Sequence, residues 1–367
     1  MSDPIKQRGA HSLAEILSQP ERWNACHTLL RETRTLETVL EWFDGQTEWL
    51  FIGCGSSYYI ALSAAATMTV LGGRRARAVP ASEVLLYPDL TLSENCVPML
   101  ISRSGRTSEV LQAADLLKSR GVPTLALSCA SGQPLEELAS LTMVLPAADE
   151  QSTVMTRSFT SMLLTLQSLA AAFAGNTEFT DSLSSLFVAA AAALQPLPRR
   201  IQDFVATHNF ADYVCLGQGP FYGLACECAL KVTEMSVSYA QSFHTLEFRH
   251  GPKSIVGPET LLVFLLSESG YEAECDALEE MKSLGGTTLV VANRATARAR
   301  SVADLLVELS LDVPELARLA PYLFAGQLLG LFTGLKKGLD PDSPRNLSRV
   351  VILDKGSSSQ EPEHAAL

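Results

Sequence analysis

Basic residues are scarce in this chain: 28 Lys and Arg stand against 40 Asp and Glu, a formal net charge of −12. So acidic a surface offers no electrostatic footprint for nucleic acid, and none is expected as a partner. Long apolar runs are missing too. Stretches such as Leu261–Leu266 and Ala189–Leu194 fall far short of the roughly 20 residues a bilayer span needs, so no membrane partner is expected. Where a signal peptide would place an apolar core, Met1-Ser2-Asp3-Pro4-Ile5-Lys6 has an acid and a proline. The eight cysteines form no C-x-x-C pair, Cys226 and Cys228 stand too close for a zinc knuckle, and no two histidines have ligand spacing. Reduced buried thiols, no metal and a cytoplasmic location are the expectation. Nucleotide fingerprints are lacking as well: Gly53-Cys54-Gly55 is followed at the sixth position by Tyr58, and no G-x-x-x-x-G-K occurs, so no cofactor is expected. What the chain has in plenty is apolar residues, 47% of its 367, with only 19% charged, enough for two full cores.

An internal repeat at an offset of about 164 residues organises the sequence. Phe51-Ile52-Gly53-Cys54-Gly55 recurs as Cys215-Leu216-Gly217-Gln218-Gly219, and Ser102-Arg103-Ser104-Gly105 as Ser267-Glu268-Ser269-Gly270. Gly121-Val122-Pro123-Thr124-Leu125-Ala126 recurs as Gly285-Gly286-Thr287-Thr288-Leu289-Val290. Short apolar runs alternate with helical periodicity in each copy, which predicts an α/β fold: two tandem parallel sheets, each flanked by helices on both faces. Strands are predicted over 49–52, 97–102 and 123–128, with helices over 58–71, from 107 or 108 onward, 159–174 and 222–236. The expected organisation is a helical segment over 1–47, a phosphate-binding domain over 48–195, a catalytic domain over 196–355 and a polar tail over 356–367.

Ser102-Arg103-Ser104-Gly105-Arg106-Thr107 lies between a strand and a helix N-terminus, where unpaired N–H groups and the helix dipole favour an anion. Hydroxyls at Ser102, Ser104 and Thr107 add donors, and Ser56 and Ser57 follow the adjacent strand; capping of the helix is the plainer alternative. A small phosphorylated ligand fits this pattern. In the second copy Arg103 becomes Glu268 and Thr107 becomes Glu272, carboxylates that repel a phosphate, so one phosphate site per chain is predicted.

On the 222–236 helix, Glu227, Lys231 and Glu234 fall at i, i+4 and i+7. Taken alone, that stripe reads best as a solvated, salt-bridged face. Further on, Phe243-His244-Thr245-Leu246-Glu247-Phe248-Arg249-His250-Gly251-Pro252-Lys253 places His250 before a Gly-Pro turn, from which a side chain can enter a cleft. Together with Met155-Thr156-Arg157-Ser158-Phe159-Thr160, Ala229-Leu230-Lys231-Val232-Thr233-Glu234 and Pro344-Arg345-Asn346-Leu347, these segments resemble the sugar-isomerase (SIS) domain proteins. The similarity is to the isomerase half of glucosamine-6-phosphate synthase and to the tagatose-6-phosphate ketose/aldose isomerases. It runs from about Phe51 to Arg349.

The resemblance implies an aldose/ketose isomerase acting on a hexose or hexosamine 6-phosphate, with or without deamination. Ser102, Arg103, Ser104 and Thr107 would hold the phosphate, and Ser56, Ser57, Thr153 and Met155 the sugar. By the same resemblance Glu234 moves a proton between C1 and C2, Lys231 stands beside it, and His250 opens the ring, reaching the site from the second subunit of a homodimer. Because an adjacent lysine would oppose a raised Glu234 pKa, Lys231 is expected to pair mainly with Glu227 or a substrate oxygen. Two departures stand out. Arg106 replaces a glutamate of the synthase and could grip a second anionic group. Arg349 replaces its C-terminal lysine and, staying protonated, closes any imine route there. With Ser2 where a nucleophilic cysteine would stand, no glutaminase is expected. A fructosamine-6-phosphate deglycase is the nearest alternative, and a non-catalytic sugar-phosphate sensor the alternative from another class.

Overall fold

A computed structural model describes residues 8–45 and 48–353. The expected tail from Gly356 lies outside the described residues. In the first copy the strands are β1 (Glu48–Gly53), β2 (Arg75–Pro80), β3 (Cys96–Ile101), β4 (Leu125–Ser128) and β5 (Leu141–Val144). In the second they are β6 (Asp212–Gly217), β7 (Ala240–Phe243), β8 (Thr260–Leu265), β9 (Thr287–Ala292) and β10 (Leu305–Glu308). The sheets run β2-β1-β3-β4-β5 and β7-β6-β8-β9-β10, the same order twice, with every pairing parallel. In register, Ile52 faces Leu100 in one copy and Leu216 faces Phe264 in the other. β3 and β8 are buried along their whole length, as sheets covered on both faces require.

Strand order reverses at β1 and β3, and ligands of open parallel sheets bind beyond the carboxyl ends at such a switch point. The loops after β1 and β3, residues 53–57 and 102–107, meet there. The helix after β1 begins earlier than the periodicity suggested, at Ser56 rather than Tyr58. Gly53 lets that early turn close, because a Cβ there would lie 2.6 Å from the Ser57 carbonyl carbon. The stretch 176–208 between the copies is itself helical, Thr177–Leu194 and Leu197–Thr207.

Two helices carry the second copy's chemistry inward. The Tyr222–Ser236 helix packs on Ser56–Val70 of the first copy and on Leu319–Lys336. Gly326 and Gly330 form a flat ridge on the last of these: a Cβ would lie 2.7 Å from the Cys228 sulfur or 2.6 Å from the Lys231 carbonyl oxygen. Gly223 answers them on the other side, where a Cβ would lie 2.5 Å from the Tyr59 carbonyl oxygen. Clamped between neighbours, the polar stripe is not a solvated face: Glu227 and Lys231 are 0% exposed. No described helix is long and apolar enough to cross a membrane.

Candidate active site

A cavity of about 180 Å³ opens at the switch point of the first sheet. Its walls bring together Ser56 and Ser57 from the first loop, Arg103, Ser104 and Thr107 from the second, Thr153 and Met155, and Glu234 from the other copy. Cys54, Gly55 and the segment 348–351 complete it. Eight of the eleven residues expected at the site, together with Arg349, thus share one enclosure. A larger hollow of about 550 Å³ lies elsewhere, between the helices carrying His27, Leu36 and Thr180, and has none of these groups.

The Ser104 and Thr107 hydroxyls line the cavity, whereas Ser56 Oγ is already bonded to Glu227 and Lys231. Thr107 sits at the N-cap of the Ser108–Ser119 helix but makes no side-chain cap bond; its Oγ1 lies 3.1 Å from Ser102 Oγ. The Ser104 hydroxyl accepts the Arg106 N–H at 3.2 Å, and Gly105 takes φ +62°, a turn that L side chains rarely adopt. Ser102 itself is 2% exposed and stays behind the wall, steadying Thr107.

Arg103 does not serve as a free cation. Its guanidinium donates to the carbonyls of Val154 (3.3 Å), Thr153 (3.1 Å) and Arg349 (2.7 Å) and pairs with Glu150 at 3.5 Å. Arg103 lines the cavity, and these bonds tie the second loop to the 153–155 loop and to the C-terminal segment. Glu150, which the sequence reading missed, is the anchor beneath. It accepts from the Thr156 N–H and hydroxyl, both at 2.7 Å, and from the Ser158 hydroxyl. Only its place ahead of Met155–Thr160 marked it, and a lone acid before a loop carries no signal.

Lys231 holds a different partner from the one expected. Its Nζ lies 2.5 Å from Glu234 Oε2, against 3.2 Å from Glu227 Oε1 and 3.3 Å from Ser56 Oγ. Glu234, three residues on, is the nearer, and its side chain is 18% exposed toward the cavity. Glu227 Oε1 also accepts from Ser56 Oγ at 3.1 Å, while its Oε2 has no partner. Burial outweighs the lysine there and pushes the Glu227 carboxyl up to about 8. Flanked by two carboxylates, Lys231 is held in its charged form, above the ordinary lysine value.

His250 and Arg106 are not brought in. His250 follows the Glu247–Arg249 turn, is exposed, and does not line this chain's cavity. Arg106 is exposed and outside the wall, so it grips nothing in the cavity. Arg349 does line it, with its guanidinium turned to Asp149 at 2.5 Å.

The second copy's equivalent loop is filled by the chain's own carboxylates. Glu274 accepts from the Ser267 N–H (2.7 Å) and hydroxyl (3.0 Å), and Glu315 from the Glu268 N–H (2.5 Å) and the Ser269 hydroxyl (3.1 Å).

The chain is 28% identical over 360 residues to the isomerizing glutamine–fructose-6-phosphate aminotransferase of Pyrobaculum aerophilum, covering 93% of this chain and 57% of that protein. It thus spans a little over half the length of such curated relatives. Among solved structures, glucosamine-6-phosphate deaminase from Thermotoga maritima matches with a TM-score of 0.76 and 30% identity, over 94% of this chain and all of that one. The tagatose-6-phosphate ketose/aldose isomerase of Escherichia coli shares the fold with a TM-score of 0.84 at 23% identity, over 95% and 98% of the two chains. The SIS domain profile matches residues 46–172 and 213–324, the two halves of the repeat, and the chain belongs to the SIS domain family.

Proposed function

We propose that this protein is an aldose–ketose isomerase of a hexose or hexosamine 6-phosphate, releasing ammonia when the substrate carries a C2 amine. One observation carries the reading: the carboxylate of Glu234, from the second copy, faces the same enclosure as the Ser104 and Thr107 hydroxyls at the helix N-terminus of the first. Hydroxyls and helix dipole suit a phosphate at one end. At the other end, Glu234 takes the proton from one of C1 and C2 and returns it to the other. Lys231, bonded to Glu234, orients the carboxylate, and its positive charge offsets the negative charge that develops on the enediol oxygen. With an amine at C2, the proton moves from C2 to C1, water hydrolyses the resulting C2 imine, and ammonia leaves with a ketose phosphate. His250 supplies the ring-opening step from a second copy, since its own chain holds it outside. The 30% identity to the T. maritima deaminase supports the ammonia-releasing branch.

The test is ammonia and ketose phosphate release from glucosamine- and galactosamine-6-phosphate. Glu234→Gln is expected to lower turnover by about 10²–10⁴-fold while sugar-phosphate binding persists. Activity retained in that variant would remove Glu234 from the mechanism.

A further inference from the structure

The helices before residue 46 lie outside the matched SIS region, and none of their residues lines the cavity. The first of them nevertheless reaches the cavity wall through one side chain. The helix Ala10–Leu17 turns Ser12, Glu15 and Ile16, at i, i+3 and i+4, into the protein, and Glu15 is only 3% exposed. Its Oε1 accepts from the Gln151 N–H (2.5 Å) and the Ser152 N–H (3.2 Å), and its Oε2 from the Ser152 hydroxyl. Those donors belong to the loop that carries Thr153 and Met155 into the cavity. Burial and the nearby Glu150 carboxylate raise the Glu15 carboxyl, while the bonds from Ser152 and Gln151 pull the other way. Burying an acid is costly, and here the compensating donors all come from one loop, which the acid thereby fastens.

The start of the same helix is tied to the same loop. Asp342 accepts from the N–H groups of His11 (3.0 Å) and Ser12 (2.7 Å) and from the Ser12 hydroxyl (2.7 Å), and its main-chain carbonyl accepts the Thr153 N–H at 3.0 Å. The 102–107 loop hangs from other supports. Its Ser102 N–H donates to the Leu127 carbonyl (3.0 Å), and the carbonyls of Arg103 and Gly105 accept from the N–H groups of Cys129 (2.9 Å) and Leu135 (3.2 Å). The Arg103 side chain bridges the two loops, but the backbone of each is secured separately. We infer, resting on the isomerase reading, that Glu15 is a positioning residue for the sugar end of the substrate: it sets Thr153 and Met155 against the carbon chain and leaves the phosphate end untouched.

Calorimetric titration of the full chain with inorganic phosphate, which fills one end, and with fructose 6-phosphate, which fills both, gives the ratio of the two affinities. The wild type is expected to bind the sugar phosphate more tightly. Glu15→Ala leaves two backbone N–H groups and a hydroxyl unpaired, and should lower that preference at least about tenfold while phosphate affinity stays within about twofold. Glu15→Asp keeps the charge but withdraws it by one methylene, and should lose the preference as well. Glu15→Gln keeps the length. Its carbonyl accepts the two N–H groups and its NH2 donates to Ser152 Oγ, whose own proton has the Val154 carbonyl at 3.1 Å, so the preference should return. A general loosening of the fold would weaken both ligands or reduce the number of sites, and would not spare phosphate. Should Glu15→Ala fail to fold, Glu15→Asp set against Glu15→Gln decides. A preference unchanged in the Ala and Asp variants, or a phosphate affinity that falls in step with that for the sugar phosphate, overturns the inference and leaves the isomerase reading standing. A wild type that binds fructose 6-phosphate no more tightly than phosphate overturns both.

Discussion

At the scale of single residues, Glu227, Lys231 and Glu234 on the Tyr222–Ser236 helix form one bonded set, the first two fully buried and Glu234 open to the cavity. Glu227 is fully buried, and its carboxyl is pushed up to about 8 chiefly by desolvation, despite Lys231 at 3.2 Å. The sign of the consequence is definite. A carboxyl raised in the fold binds a proton that the unfolded chain has already lost, so its contribution to stability is fully present below about 4.5 and is lost as pH rises through about 8. Glu274, raised to about 7 by burial, acts in the same direction. Glu227→Gln supplies a permanently neutral group of the same shape, and its melting temperature should therefore fall less than the wild type's between about pH 5 and pH 8. An identical slope, or a variant already much less stable at pH 6, would mean that Glu227 is ionised in the fold. The sequence showed that these three residues share a stripe, but not which partner Lys231 takes. Carboxylates at i−4 and i+3 are equally reachable on a helix, and no local pattern encodes the choice. The partners of Arg103 were hidden for a related reason: its donors go to the carbonyls of a loop fifty residues on and of Arg349.

At the scale of elements, the two strand–loop–helix units share strand order but differ at the loop. In the first, hydroxyls with no capping duty line a cavity. In the second, the carboxylates of Glu274 and Glu315 occupy the donors that an anion would need, and Arg318 pairs with Glu268 at 2.6 Å. Calorimetric titration with fructose 6-phosphate is accordingly expected to give one site per chain, abolished by Ser104→Ala with Thr107→Ala. Two sites per chain, or a site surviving that double change, would contradict this assignment. The sequence pointed to carboxylates at this loop, but through Glu268 and Glu272, which pair instead with Arg318 and Arg298. Glu315 was not legible: it comes from a turn more than forty residues away, and only the closing of the second copy brings it to the loop. The C-terminal segment shows the same limit. Its Val351 carbonyl accepts the Ser108 N–H at 3.2 Å, and Leu353 N–H donates to Ser108 Oγ at 2.9 Å, contacts across more than two hundred residues with no periodic signature.

At the scale of the whole molecule, the site is divided. The proposed phosphate cradle and the proposed proton-transfer carboxylate come from opposite copies of one chain, joined where Ser56–Val70 packs on Tyr222–Ser236. His250, held on the surface of its own chain, completes the set only if a second chain presents it. That arrangement has a measurable consequence. Glu234→Gln and His250→Ala should each be nearly inactive alone. Mixed as unfolded chains in equal amounts and refolded together, they form mixed dimers as half the population, and each mixed dimer contains one site with an intact Glu234 and an intact His250. Activity should return to about a quarter of the wild type's per chain, the statistical outcome for a twofold-symmetric pair that shares its sites. If His250 instead served its own chain's cavity, every site in a mixed dimer would keep one defect, and the mixture would stay as inactive as its components. The same refolding with a chain carrying both changes provides the control, since its mixed dimers with either single variant contain no site with both groups, whichever way the subunits exchange residues.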